Sequence, residues 1–174
     1  MTKRVLMTVV LIVCLCIPFL TTAQDKDAAY RVNNEKAIRI SGKIELTIKA
    51  KEPKWKLKDV MYDAGAYQRN GVWQVEVSAY QRWVSRAGEL TLTIFVYESD
   101  EEASRMQKQR SGWSSVAGSE KLEDFGDQAY YITHPYFSWV SVRRGRASIE
   151  VHGPPGLTVT RRFAQHALEQ IEDQ

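Results

Sequence analysis

The sequence predicts one α+β domain: a single, mostly antiparallel sheet of about six or seven strands, packed by a C-terminal amphipathic helix and one shorter helix. Three observations carry that expectation. Apolar and polar residues alternate over successive short segments, the pattern of half-buried strands. Turn dipeptides such as Asn70-Gly71 and Arg144-Gly145 join these segments too closely for parallel crossovers, so neighbours pair antiparallel. Phe163, Ala164, Ala167, Leu168 and Ile171 recur at helical spacing, giving an apolar stripe that can cover one sheet face.

Taken in order, the chain opens on residues 1–23, which have the layout of a signal peptide. Lys3 and Arg4 form a positive start, and Val5 to Leu20 an apolar run interrupted by Thr8 and Pro18. Thr21-Thr22-Ala23 supplies small residues before the polar Gln24-Asp25-Lys26, so cleavage is expected between Ala23 and Gln24. The apolar run is shorter than the roughly 20 residues that a spanning helix needs, which makes an uncleaved anchor the alternative. Val13 and Leu15 precede Cys14 and Cys16, where lipid attachment prefers a small residue. Both cysteines of the chain lie in this leader. The mature chain would therefore enter an oxidising compartment with no disulfide and no thiol chemistry. The full chain carries 24 basic and 21 acidic side chains, and loss of Lys3 and Arg4 brings it close to neutrality, which removes any case for nucleic-acid binding.

Residues 24–37 read as a polar lead-in or short helix, followed by a single domain over 38–174. From Ile38 the period is two: Ile38, Ile40, Ile44, Leu46 and Ile48 alternate with polar neighbours, which predicts strands. Pro53 interrupts, and Trp55 and Leu57 resume the alternation. Asn70-Gly71 fits a two-residue type I′ hairpin, with Val77 and Ala79 on one face of its outgoing arm. Gly88 opens a strand with Leu90, Leu92, Ile94 and Val96 on one face. Its other face, Thr91, Thr93, Phe95 and Tyr97, is apolar enough to require partial cover. Ser99 and Asp100 are N-cap residues followed by Glu101 and Glu102, which predicts a helix over 100–110 and a loop over 111–124. Ala129 to Thr133 is a strand, and a hairpin over 139–151 buries Val140, Val142, Ala147, Ile149 and Val151. Gly153-Pro154-Pro155-Gly156 ends the sheet, and the last helix starts near Thr158 or Thr160.

The order of elements from Leu90 to Ile171 carries a resemblance. A strand ending Val96-Tyr97-Glu98-Ser99 leads into a helix beginning Asp100-Glu101-Glu102-Ala103. Phe125-Gly126-Asp127-Gln128-Ala129 and a hairpin containing Val142-Arg143-Arg144-Gly145 follow. This layout resembles small exported bacterial α+β proteins and extracellular sensor-like domains, such as those of mycobacterial kinases and lipoproteins. The resemblance implies an exported fold used for sensing or binding and implies no catalytic residue. The mature chain departs from disulfide-bearing members by having no cysteine.

The chemistry-bearing residues are sparse. His134, His152 and His166 are the three histidines. Glu150 and His152 share a strand face, but one histidine and one carboxylate are too few to hold a metal, so a solvated strand edge is expected. His166 and Glu169 read as a surface pair on the last helix. No Gly-x-Ser-x-Gly elbow, Walker or dinucleotide glycine pattern occurs, and no cofactor is expected. Lys43, Lys49, Lys51, Lys54, Lys56 and Lys58 form a basic stripe, diluted by Glu45, Glu52 and Asp59 and read as a solvated face. Arg143, Arg144, Arg146, Arg161 and Arg162 are read likewise. Tyr130, Tyr131, Tyr136, Phe137 and Trp139 form an aromatic cluster, from which Tyr131, Tyr136 and Trp139, with Arg144, are the candidate ligand contacts. The functional expectation is an exported, non-enzymatic binding or sensing module of the periplasm or cell envelope. Its partner would be a protein, a small molecule or a glycan of the envelope, with no nucleic acid, and with membrane contact only through an uncleaved leader. The alternatives are a secreted hydrolase and a structural envelope subunit assembling through an open sheet edge.

Overall fold

A computed structural model describes residues 31, 33–69, 72–115 and 118–171. The leader, its cleavage site and most of the polar lead-in lie outside the described residues. Helix α1 spans residues 33–51. It is followed by β1 (Lys56–Arg69), β2 (Val72–Ser85), β3 (Gly88–Val96), α2 (Asp100–Ser115) and β4 (Glu120–Lys121). The chain then forms β5 (Gln128–Thr133), β6 (Ser138–Arg144), β7 (Ala147–Gly153) and α3 (Leu157–Leu168). The seven strands form one sheet in the order β1-β2-β3-β7-β6-β5-β4, with every pairing antiparallel. The α+β class and the single antiparallel sheet are those that the sequence predicts.

The α1 segment corrects the expectation of strands over 38–49. Ala37, Ile40, Ile44 and Ile48 are buried at helical spacing, while Ile38 and Leu46 face solvent at 44% and 70% exposure. Pro53 cannot donate to the helix ladder, so the helix ends before it and a turn forms in which the Trp55 N–H donates to the Glu52 carbonyl at 2.9 Å. The next helix also outruns its prediction, since α2 continues through Ser115. Two residues of the expected loop form β4 against Tyr130 and Tyr131. Asn70 and Gly71 lie outside the described residues, but β1 and β2 flank them in the register Arg69↔Val72 that a two-residue turn requires.

The sheet separates two layers. On one face, Val77, Ala79, Leu90, Leu92, Ile94, Val140, Val142, Ile149 and Val151 join Ile40, Ile44 and Ile48 of α1 and Phe163, Ala164 and Ala167 of α3 in one buried core. Phe163 is fully buried and meets Trp55 and Trp83 edge-on, with ring centroids 5.2 and 6.2 Å away. A buried polar chain ties α1 to β2. Gln81 Nε2 donates to the carbonyl and hydroxyl of Ser41, and Trp83 Nε1 donates to Gln81 Oε1. The buried Gln81 amide is thereby paired at both its oxygen and its nitrogen.

The opposite face carries Phe95, Ser148, Glu150, Ser141 and Trp139, and α2 lies across it. Gln107 Nε2 donates to Ser141 Oγ at 2.8 Å, and Ser148 Oγ donates to Gln107 Oε1. This is the cover that the apolar second face of β3 demands. Ser138 Oγ meets Thr160 Oγ1 at 2.9 Å and donates to the Pro154 carbonyl, which fixes the start of α3 against β6.

Candidate functional site

Three chain reversals meet at one end of the helical layer and leave a cleft of about 820 Å³. One wall is the turn after α1, with Lys51, Glu52, Pro53, Lys54 and Trp55. The second is the β2–β3 turn, with Ser85, Arg86 and Ala87. The third is the first half of α3, with Val159 and Arg162. Each wall has a local cause. Pro53 terminates α1, Gly88 adopts φ 131° where the tight Ser85–Gly88 reversal enters β3, and Gly156 breaks the chain before α3. Trp55 is almost wholly buried and held by Phe163, so the base of the cleft has a rigid backing.

The charges of the cleft divide into two groups. Arg162 grips Glu52 through Nε and, at 2.9 Å, through Nη2, while His166 Nε2 lies 3.4 Å from the same carboxylate. Lys51 Nζ donates to Glu169 Oε2 at 2.7 Å, and that hydrogen bond, ahead of other influences, holds the Glu169 carboxyl below its ordinary pKa. The one acid in the lining is thus already satisfied. Among the described residues, Lys54 and Arg86 have no hydrogen-bond or ion-pair partner, and they stand on two different walls. The arrangement offers cations above an apolar floor. The expected surface pair of His166 with Glu169 does not form; the His166 ring is turned inward to Glu52, because the α1–β1 turn packs closely on that side of α3.

A second charged group sits beneath α2. Arg110 Nη2 donates to both Glu76 oxygens at 2.9 and 3.0 Å, Nη1 donates to the Tyr97 hydroxyl at 2.6 Å, and Nε lies 3.6 Å from Glu150 Oε1. The guanidinium stacks 3.5 Å above the Phe95 ring. Burial raises the pKa of Glu150, with Arg110 and a hydrogen bond from Trp139 opposing it. Burial also pushes the Tyr97 phenol well above its usual value. This group joins α2 to three strands, and its geometry is that of a structural clamp.

The four contacts chosen from the sequence do not converge. Tyr131 pairs with Val140 and faces the helical layer, whereas Trp139 pairs with Ile132 and His152 on the opposite face. Tyr131 donates to Glu120 Oε2 at 2.5 Å, and that bond is the main cause of its raised pKa. Tyr136 is 82% exposed in the β5–β6 loop beside His134, while Trp139 is buried with its ring 6.1 Å from that of His152. Arg144 lies at the far end of β6 and donates to the Leu168 carbonyl at 3.2 Å. Glu150 and His152 share a face, but not the expected solvated strand edge: β7 lies between β3 and β6, and Glu150 is largely buried beside Arg110. No cluster of metal-ligating side chains occurs among the described residues. The basic stripe divides between α1 (Lys43, Lys49, Lys51), the following turn (Lys54) and β1 (Lys56, Lys58); Lys51 and Lys54 reach the cleft. Arg86, Trp55 and Val159 are the cleft residues that sequence reasoning misses. The one signal for them is the Pro53 turn between two apolar segments.

No known family and no curated protein matches this chain. Superposition on the crystal structure of a GTP-binding regulator from Thermotoga maritima gives a TM-score of 0.43 at 14% identity, covering 73% of this chain and 85% of that one. That overlap is too loose to transfer anything from one protein to the other.

Proposed function

We propose that this chain is an exported, non-enzymatic binding module of the periplasm or cell envelope, and that the cleft between α1, the β2–β3 turn and α3 holds its ligand. The observation that carries the binding role is the pairing of a preformed concavity with two uncommitted cations, Lys54 and Arg86, over the Trp55 floor. A volume of about 820 Å³ lies within the roughly 300–1,000 Å³ typical of small-molecule sites. Export rests on the Lys3-Arg4 start, the apolar run and Ala23. The resemblance of residues 90–171 to exported sensor-like domains supports the same reading.

Native mass spectrometry on protein recovered from the exported fraction of expressing cells tests both parts. The expected species is the chain beginning at Gln24, with additional mass retained under gentle conditions. A full-length chain confined to the cytoplasm overturns export. A bare mature chain that also fails to take up any member of a small-molecule panel overturns the binding role.

A second reading, assembly through a sheet edge, is favoured by β1, a 14-residue strand with one side unpaired among the described residues and with Met61 57% exposed. A concentration-dependent oligomer in sedimentation, lost on Met61→Lys, would support it.

A further inference from the structure

Resting on the cleft as the ligand site, we infer that its ligand is a small soluble molecule with an anionic group, a carboxylate, sulfonate or phosphate, attached to a flat apolar body. Among the described residues Glu52 is the only acid in the lining, and it is occupied by Arg162 with His166 alongside. Lys51 is occupied by Glu169. What remains to meet a ligand is Lys54 from the Pro53 turn and Arg86 from the β2–β3 turn, both positive and both without a partner among the described residues. Both are exposed at the mouth of the cleft, where an anion turns them into charge-assisted donors and a neutral or cationic ligand does not.

The second half of the ligand follows from the floor. Pro53, Ala87 and Val159 present apolar surface to the cleft, backed by Trp55, which is only 5% exposed and which Phe163 holds edge-on at 5.2 Å. A rigid apolar floor favours a ring or other flat body over a flexible chain, since less ordering is needed on binding. The concavity favours a free molecule over a planar membrane surface.

Two probes separate the halves of the inference. 1-Anilinonaphthalene-8-sulfonate and N-phenyl-1-naphthylamine share one aromatic body and differ by the sulfonate. The folded protein is titrated with each by fluorescence, alongside Lys54→Met, Arg86→Met and the cleft-filling Val159→Trp, all checked for native thermal unfolding. The sulfonate probe should bind at least tenfold tighter than the neutral one, and each cation variant should weaken it about tenfold while leaving the neutral probe unchanged, the size expected for one charge-assisted hydrogen bond. Its affinity should also fall with rising salt. Val159→Trp should abolish both.

Equal binding of both probes, lost in Val159→Trp but indifferent to Lys54→Met and Arg86→Met, overturns the anionic ligand and leaves the cleft as a binding site. Failure of both probes to bind, or binding that Val159→Trp leaves intact, overturns the cleft itself. Co-flotation of the protein with phosphatidylglycerol vesicles, abolished by the two cation variants, overturns the soluble source in favour of a lipid headgroup.

Discussion

Replacing Arg110 with Met removes the centre of the clamp beneath α2 while keeping most of its apolar length. The wild-type guanidinium serves Glu76 at 2.9 and 3.0 Å, Tyr97 at 2.6 Å and Glu150 at 3.6 Å. Removing one partner from a buried ion pair costs about 3–5 kcal/mol, because the other charge is left desolvated. Side-chain exposures of 15% for Arg110 and 21% for Glu76 let water reach part of the group, so the lower end, about 3 kcal/mol, applies. For a domain of this size each kcal/mol moves the melting temperature by about 2–4 °C, giving a fall of roughly 6–12 °C. The pH dependence supplies a sharper test. Glu150 has its pKa raised from 4.5 by burial, so the folded state holds the proton more tightly than the unfolded chain. The stability this contributes is complete below the unfolded value and is lost as pH rises through the folded one. Arg110 opposes the rise. Without it the folded pKa climbs further, the loss continues to higher pH, and the deficit of Arg110→Met relative to wild type is greater at pH 7.5 than at pH 4.5. Glu150→Gln in the Arg110→Met background deletes the stranded charge and should recover a coupling of about 0.5–3 kcal/mol at pH 7.5. Urea and thermal unfolding of wild type, both single variants and the double variant at the two pH values measure all of this. A fall below 2 °C, an equal deficit at both pH values, or no recovery by Glu150→Gln would refute the reasoning.

Phe163→Ala should remove about 3–5 kcal/mol, since the ring is fully buried between Trp55 and Trp83; a thermal melt within a few degrees of wild type would mean that α3 does not close the core as described. Gly126→Ala should cost more than about 2 kcal/mol, because an added Cβ at φ +70° stands 2.5 Å from the Arg143 carbonyl oxygen and 2.7 Å from Val142. Gly118→Ala, at φ +78° with open space around it, should cost only about 1–2 kcal/mol, and the gap between the two variants in urea unfolding checks the close approach. In α1, Ile44→Asp should unfold the protein at ambient temperature while Leu46→Asp leaves its melt nearly unchanged; equal damage from both would restore the strand reading that alternation invites.

The last of these contrasts shows why α1 resembles a strand in sequence. Ile38, Ile40, Ile44, Leu46 and Ile48 satisfy a period of two, and Ala37, Ile40, Ile44 and Ile48 satisfy a period near four, so periodicity alone does not decide. Length does, because no breaker as strong as Pro53 occurs before it and a helix uses such a run whole. From β3 onward there is no such ambiguity. Leu90 to Val96, the 139–151 hairpin and the stripe of α3 each satisfy one period only, and each forms as expected.

The sites are less legible for a different reason. Alternation fixes which residues of one strand share a face, but it does not fix which face of one strand continues that of the next. Tyr131 and Trp139 lie on opposite faces because the register sets Tyr131 against Val140 and Ile132 against Trp139, a parity decided by the 134–137 loop. Lys54 and Arg86 belong to two reversals and Val159 to the first turn of α3, and each looks like ordinary turn or surface sequence where it stands. They meet because β3 pairs with β7, which brings the chain entering α3 beside the β2–β3 turn. The Glu76, Arg110 and Glu150 clamp arises by the same cross-sheet route. Its one local trace is the apolar second face of β3, and it is on Phe95 of that face that the Arg110 guanidinium rests.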